Sequence, residues 1–247
     1  MFDFKVVCPS KGRADNVRTK RFFPNMTIVV PHSEVELYQE KNPDFEVVGT
    51  PKHIKGITPT RQWILENYGT VFMIDDDVVN VRKNYAKPKE SSDINDPETI
   101  FEIVRNAFVI AQGIGAKIFS FSKIRNPLEY NSFTPIVHTG YMNASFCGFI
   151  EGHGLEYDLT MSEGEDHYIS CLTGYKHRYC FIDNRFSFVT DGNFKASGGC
   201  NDYRTRDSMI KNTLYLRQKF GEVIQYKGPT ALKQNVNIGE RSLKFPY

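Results

Sequence analysis

The chain has no run of about 18 uninterrupted apolar residues, so it offers no transmembrane helix. Its opening, Met1-Phe2-Asp3-Phe4-Lys5, leads straight into a strand pattern and lacks the layout of a signal peptide. No membrane partner and a cytoplasmic location are therefore expected. Cysteine is sparse: five residues (Cys8, Cys147, Cys171, Cys180, Cys200), widely spaced, with no C-x-x-C pair. This odd, scattered set argues against a disulfide frame or a zinc site and reads as free thiols in a reducing compartment. Neither sign of charge dominates, since 31 Lys and Arg against 29 Asp and Glu leave +2. That balance neither demands nor excludes nucleic acid, because a local basic face would suffice. The basic residues of the last third, among them Lys195, Arg204, Arg206, Lys211, Arg217 and Lys219, are scattered and read as a solvated surface. Internal repeats and low-complexity segments are also missing.

Aromatics are plentiful, with 19 Phe and 13 Tyr but one Trp, and 40% of the 247 residues are hydrophobic. Such a chain builds one large domain with a dense core, or one domain with a small appendage.

Its most informative feature is Asp75-Asp76-Asp77, directly after the apolar run Val71-Phe72-Met73-Ile74. The run reads as a buried strand. Ligands of open α/β sheets bind outside the C-terminal edge of the strands, where these acids fall. Successive strand residues point to opposite sides, so Asp75 and Asp77 share one side and Asp76 takes the other. Two converging carboxylates suit a hard divalent cation that holds a diphosphate. The alternative is a polar turn in which Asp77 caps a helix.

Strand patterns also cover Phe4–Cys8, Thr27–Val30, Phe45–Val48 and Ala116–Phe121. Helix patterns run from Ser33 to Lys41, from Pro59 to Asn67 and from Asp96-Pro97 to Gln112. This alternation predicts a mostly parallel sheet flanked by helices. Residues 84–97 and Asn126–His138 read as loops, and Tyr141–Ile150 as a strand or hairpin. Ser162-Glu163-Gly164-Glu165 reads as a capping box for a helix ended by Gly174. Short strands at Arg178–Ile182 and Phe186–Val189, a helix over Arg206–Phe220 and a strand at Val223–Tyr226 complete the chain.

Four elements, in order, resemble the nucleotide-sugar glycosyltransferases of the GT-A fold. They are the first-strand loop with Pro9 and Arg13, the helix-opening segment Gly56-Ile57-Thr58-Pro59-Thr60-Arg61, the D-x-D-type Asp75–Asp77, and Gly164-Glu165-Asp166. Val7-Cys8-Pro9-Ser10-Lys11-Gly12-Arg13 and Ser197-Gly198-Gly199 resemble the compact phage-encoded branch found with enzymes that oxidise or hydroxymethylate pyrimidines in DNA. The resemblance implies a GT-A, Rossmann-like single domain over 1–247 with a small C-terminal acceptor-side extension. Residues 1–115 would bind the nucleotide sugar and 116–247 the acceptor. It also implies a UDP-sugar donor, Mn2+ or Mg2+, and transfer to a hydroxymethylated base such as 5-hydroxymethylcytosine in DNA, in the host cytoplasm if the chain is viral.

Under that resemblance Asp77 and Asp75 are the metal ligands, and Asp75 and Asp76 also contact the nucleotide. Pro9, Ser10, Arg13 and Pro31 line the base and ribose, with His32 a weaker choice. Arg61 holds phosphates or positions the acids, the alternative being a surface pair with Glu66. Gly198 and Gly199 form a loop over the diphosphate, and Asp166 is the general base of an inverting transfer, with Glu165 left to capping. Tyr141, Phe146, Tyr157 or Tyr203 could stack on a flipped base. Two departures stand out. Thr60-Arg61-Gln62 replaces the commoner Ala-Arg-Asn, and no His after His177 can serve as a further metal ligand, which leaves Asp191 or Asn193. Glycan, lipid or protein acceptors, and a catalytically silent nucleotide-sugar or nucleic-acid binding module, are the competing readings.

Overall fold

The computed structural model describes residues 4–87, 90–124, 126–191, 205–226 and 241–246, without the side chains of 206, 226 and 241. In chain order the strands and α-helices are β1 (Lys5–Pro9), β2 (Thr27–Pro31), α1 (Val35–Lys41), β3 (Glu46–Thr50), α2 (Ile57–Asn67), β4 (Val71–Ile74), β5 (Val78–Lys83), β6 (Asp93–Ile94), α3 (Pro97–Gly113), β7 (Ile118–Ser122), β8 (Ile136–Val137), β9 (Phe146–Phe149), α4 (Glu165–His177), β10 (Phe181–Thr190), α5 (Arg206–Phe220), β11 (Ile224–Tyr226) and β12 (Arg241–Leu243).

Ten strands form one sheet in the order β3-β2-β1-β4-β9-β7-β10-β5-β6, with β8 also on β10. β3, β2, β1, β4, β7, β10 and β6 run one way, and β9, β5 and β8 run against them. The expected mostly parallel α/β sheet is present. β1 and β4 are nearly continuous apolar runs because helices cover both faces of the sheet. Phe72 and Ile74 of β4 join one core with Phe108 of α3, and with Phe119, Phe121 and Phe188. Val71 and Met73 join the other with Ile64 and Leu65 of α2 and Ile169 of α4. The two cores thus follow the period-2 alternation of the strands. A smaller cluster of Met161, Tyr168, Cys171, Leu216 and Ile224 seats α5 and the β11–β12 pair on α4.

Several local expectations are corrected. Ser33 does not cap α1; a 3-10 turn, His32–Glu34, feeds the helix, and the Glu34 carboxylate accepts from the Gly12 N–H at 2.7 Å. Gly164, in the left-handed region, precedes α4 with no side-chain cap, so the capping box does not form. Gly174 does not end that helix either. It is buried within it, and α4 stops where Arg178 adopts φ 71°. The two short strands around 178–189 are one bent strand, β10, whose register shifts as it passes from β7 to β5. The loop over 84–97 contains β6, and β5 precedes it. Their mixed, half-exposed residues hid both strands from pattern reading. β12 is likewise unannounced by its sequence.

β9 crosses the sheet centre at Gly148, where a Cβ would fall inside the Phe119 ring. That ring is fully buried and stacks on Phe72, so it cannot swing away. Gly148→Ala is expected to destabilise the fold by about 1–3 kcal/mol through overpacking. Urea unfolding of the two proteins measures it, and an unchanged midpoint would contradict the packing described.

Candidate active site

β1, β2 and β4 are parallel neighbours, so Pro9, Pro31 and Ile74 end at one sheet edge. The three aspartates leave β4 there. Asp76 turns inward and is buried. Its carboxylate accepts from the Ser10 hydroxyl and from Arg13 Nη1 at 2.7 Å. Ser10 also meets the Tyr38 hydroxyl at 2.7 Å, and that hydroxyl accepts from the Arg13 N–H at 2.9 Å. The β1 loop is therefore fastened by Asp76 below it and by Tyr38 of α1 behind it. Burial pushes the Tyr38 hydroxyl up to about 12, so it remains a neutral partner.

The backbone of the triad is clamped as well. Asp76 C=O accepts from the N–H groups of Arg18 and Thr19, and Asp77 C=O accepts from Asp191 N–H at 3.0 Å. Thr19 Oγ1 donates to Asp75 C=O at 2.5 Å and accepts from Val78 N–H at 3.1 Å.

Asp77 lies mostly buried beside this clamp, with Arg13 Nη1 at 3.7 Å from its Oδ2. Its other oxygen, Oδ1, is buried and has no hydrogen-bond partner among the described residues. Burial and then the charges of Asp75 and Asp76 push its carboxyl up to about 7. A carboxylate held at that cost, with an orphaned oxygen, marks a functional site.

Asp75 faces a different cation. Arg61, in α2, is 2% exposed, donates from Nη2 to Asp75 Oδ1 at 2.7 Å, and donates from Nη1 to Ala144 C=O at 2.7 Å. Its Nε lies 3.6 Å from Glu165 Oε1. Burial opposes the guanidinium charge, but Asp75, Tyr157 and Glu165 outweigh it and raise the pKa above the ordinary value. The surface pairing with Glu66 is overturned, since Glu66 accepts from Gln62 instead. Glu165 is not spent on capping either. It lies half-buried against Arg61, and burial followed by the charge of Asp166 raises its carboxyl. An unbroken line of charge thus runs from Asp75 through Arg61 to Glu165 and Asp166 at the start of α4.

Asp166 accepts from the Tyr141 hydroxyl on one oxygen. On the other it meets the His167 N–H at 2.7 Å and His167 Nδ1 at 2.8 Å. Of the remaining expected residues, Pro9 is buried in β1, Pro31 is half-buried at the end of β2, and His32 is exposed in its 3-10 turn. Phe146 and Tyr157 are core residues closed to a base, whereas Tyr141 stays partly accessible. Asp191 turns its carboxylate to Arg18, at 2.5 Å. Asn193, Ser197, Gly198, Gly199 and Tyr203 lie outside the described residues. Tyr38 and His167 went unread in the sequence; a hydroxyl under a loop has no signal of its own, and His167 is announced only by following Asp166.

The family model for TET-Associated Glycosyltransferase matches residues 4–199, and so spans every element of this site. The chain belongs to that family. No curated protein matches it in sequence. Among solved structures it is similar to S. aureus TarS 1–349, at 11% identity over 86% of this chain and 65% of that one, with a TM-score of 0.48. For S. aureus TarS the figures are 9%, 87%, 40% and 0.49, and for mouse xyloside xylosyltransferase 1 they are 9%, 72%, 77% and 0.35. The chain thus spans less than two thirds of either TarS chain.

Two predictions follow from the buried charges. Arg61→Met leaves Asp75 and Glu165 without their cation and should destabilise the fold by about 3–5 kcal/mol; a loss under about 1 kcal/mol in denaturant titration would contradict the burial. For Asp77 the folded pKa lies above its unfolded value. Its contribution to stability is therefore present at low pH and is lost as pH rises towards 7. In chelator, the fall in Tm between pH 5 and pH 8 should be smaller for Asp77→Asn than for wild type. Equal falls would refute the assignment.

Proposed function

We propose that this chain is a glycosyltransferase that moves a sugar from a UDP-sugar to the hydroxymethyl group of a modified pyrimidine, 5-hydroxymethylcytosine, in DNA. The observation that carries this reading is the line Asp75–Arg61–Glu165–Asp166, which ties a diphosphate-type acid cluster at the sheet edge to the carboxylate pair that opens α4. The family's association with TET-type enzymes supports the DNA acceptor. Residues 1–115 supply the donor side and 116–247 the acceptor side.

The donor set fits a hard divalent cation, Mn2+ or Mg2+. Asp77 offers a buried oxygen with no partner among the described residues, and Asp75 lies close enough to raise its carboxyl. Among the described residues no group of three or more His, Cys, Asp or Glu is gathered for a metal. That agrees with a cation held by one or two carboxylates together with substrate phosphates and water. When bound, it would act as a Lewis acid on the leaving diphosphate. Arg13 places positive charge at the same edge, and Ser10 and Asp76 fix the loop that carries it, with Pro9 and Pro31 as neighbours of the nucleotide.

On the acceptor side, Asp166 supplies the negative charge that draws the proton from the attacking hydroxyl. That hydroxyl must leave the base stack to reach a sugar carbon inside a protein, so the base is flipped or single-stranded. Attack opposite the leaving diphosphate would invert the anomeric centre.

The test is UDP release with Mn2+ or Mg2+ across a panel of UDP-sugars, using DNA with and without 5-hydroxymethylcytosine. Release that needs both the metal and the hydroxymethyl group is expected. Release indifferent to DNA would remove the acceptor assignment. Asp77→Asn is expected to abolish transfer with the fold intact, and full activity in that variant would remove the metal assignment.

A further inference from the structure

Asp166 is poorly placed to take a proton by itself. One carboxylate oxygen accepts from the Tyr141 hydroxyl, and the other is engaged by the backbone N–H and ring Nδ1 of His167, at 2.7 and 2.8 Å. A carboxylate bonded this way must give up a partner before it can meet an acceptor hydroxyl. His167 needs no such exchange. A neutral imidazole whose Nδ1 faces a carboxylate carries its proton there, which leaves the lone pair on Nε2. Among the described residues Nε2 has no hydrogen-bond partner, and it is not sealed from solvent.

The ring is also held in place. It packs on Tyr141 with centroids 4.8 Å apart, and Lys123 Nζ sits 5.1 Å from the Tyr141 ring. The side chain is 15% exposed, open enough to be reached and closed enough to be fixed. His167 stands in the first turn of α4, two residues beyond Glu165, which Arg61 ties to Asp75. The imidazole therefore belongs to the end of the helix that the buried charges fasten to the donor side.

We propose that Asp166 and His167 act as a dyad in which Nε2 of His167 is the general base, Asp166 holds the ring and its charge, and Tyr141 positions Asp166. The proposal rests on the glycosyl-transfer reading above. In the step, the acceptor O–H bond breaks and its proton goes to Nε2. The acceptor oxygen bonds to the anomeric carbon, and the bond from that carbon to the diphosphate oxygen breaks, its electron pair leaving with UDP. The imidazolium so formed faces the Asp166 carboxylate, which stabilises it.

The experiment uses the full chain with UDP-sugar and Mn2+, and follows two reactions: transfer to 5-hydroxymethylcytosine DNA, and slow transfer to water without DNA. His167→Ala should lose about 10²- to 10⁴-fold in kcat on both, with an unchanged Tm, and free imidazole should restore part of the rate. His167→Gln, which retains a donor towards Asp166 but accepts no proton, should be as slow. Tyr141→Phe, the positioning variant, should lower kcat more than it raises KM. Wild-type rates in both His167 variants overturn the dyad, as does a loss that follows a fallen Tm and resists imidazole. Wild-type transfer to water without transfer to DNA removes the DNA reading, while the dyad is still decided on the water reaction. Absence of both reactions in wild type overturns both proposals.

Discussion

The buried guanidinium of Arg61 is the constraint on which the rest of the site depends. A charge this deep costs several kcal/mol of desolvation, and its partners seldom return more than that. Asp75 at 2.7 Å and Glu165 at 3.6 Å therefore gain the fold little net stability, but they fix geometry. The end of β4 and the beginning of α4 must stand where one planar group reaches both. Loss of either acid leaves the other facing an under-compensated cation, so the two sides of the site cannot drift independently.

The sheet order makes this arrangement available. β4 lies between β1 and β9, so the acids leaving β4 meet the β1 loop on one side. Ala144 and Ser145, which lead into β9, receive bonds from Arg61 and from the Asp75 N–H on the other. Asp76 is consumed in anchoring the β1 loop through Ser10 and Arg13. That leaves Asp77 at the open edge with a raised carboxyl and, among the described residues, an unbonded buried oxygen, next to Asp75 on its Arg61 partner. Stability is given up at Asp77 in return for a site charged for a cation, the expected trade at a functional centre.

Much of this frame is legible in the residues. Four apolar residues followed by three acids signal a buried strand ending at a ligand edge. The sides taken by the acids are not legible from strand alternation, because they form the turn between β4 and β5: Asp76 and Asp77 share Arg13, while Asp75 meets Arg61. The burial of Arg61 is not legible, because its partners come from elements far along the chain and nothing local marks a helix-start arginine as interior. Glu165 was misread for a related reason. Ser162 and Glu165 have capping-box spacing, but Gly164 takes a left-handed turn that starts the helix later and sends Glu165 inward. β5 and β6 escaped because strands with one half-exposed face carry mixed residues. His167 lies beside the residue that was read, and its ring bond to Asp166 exists only in three dimensions.

The most direct test of the account is a double-mutant cycle of Asp75→Asn and Glu165→Gln, read as unfolding free energy. Both acids share Arg61, so the two losses should be non-additive, with a coupling of about 1 kcal/mol or more. Additivity within about 0.5 kcal/mol would mean that Arg61 does not join the two sides, and the account of a single fastened site would fail.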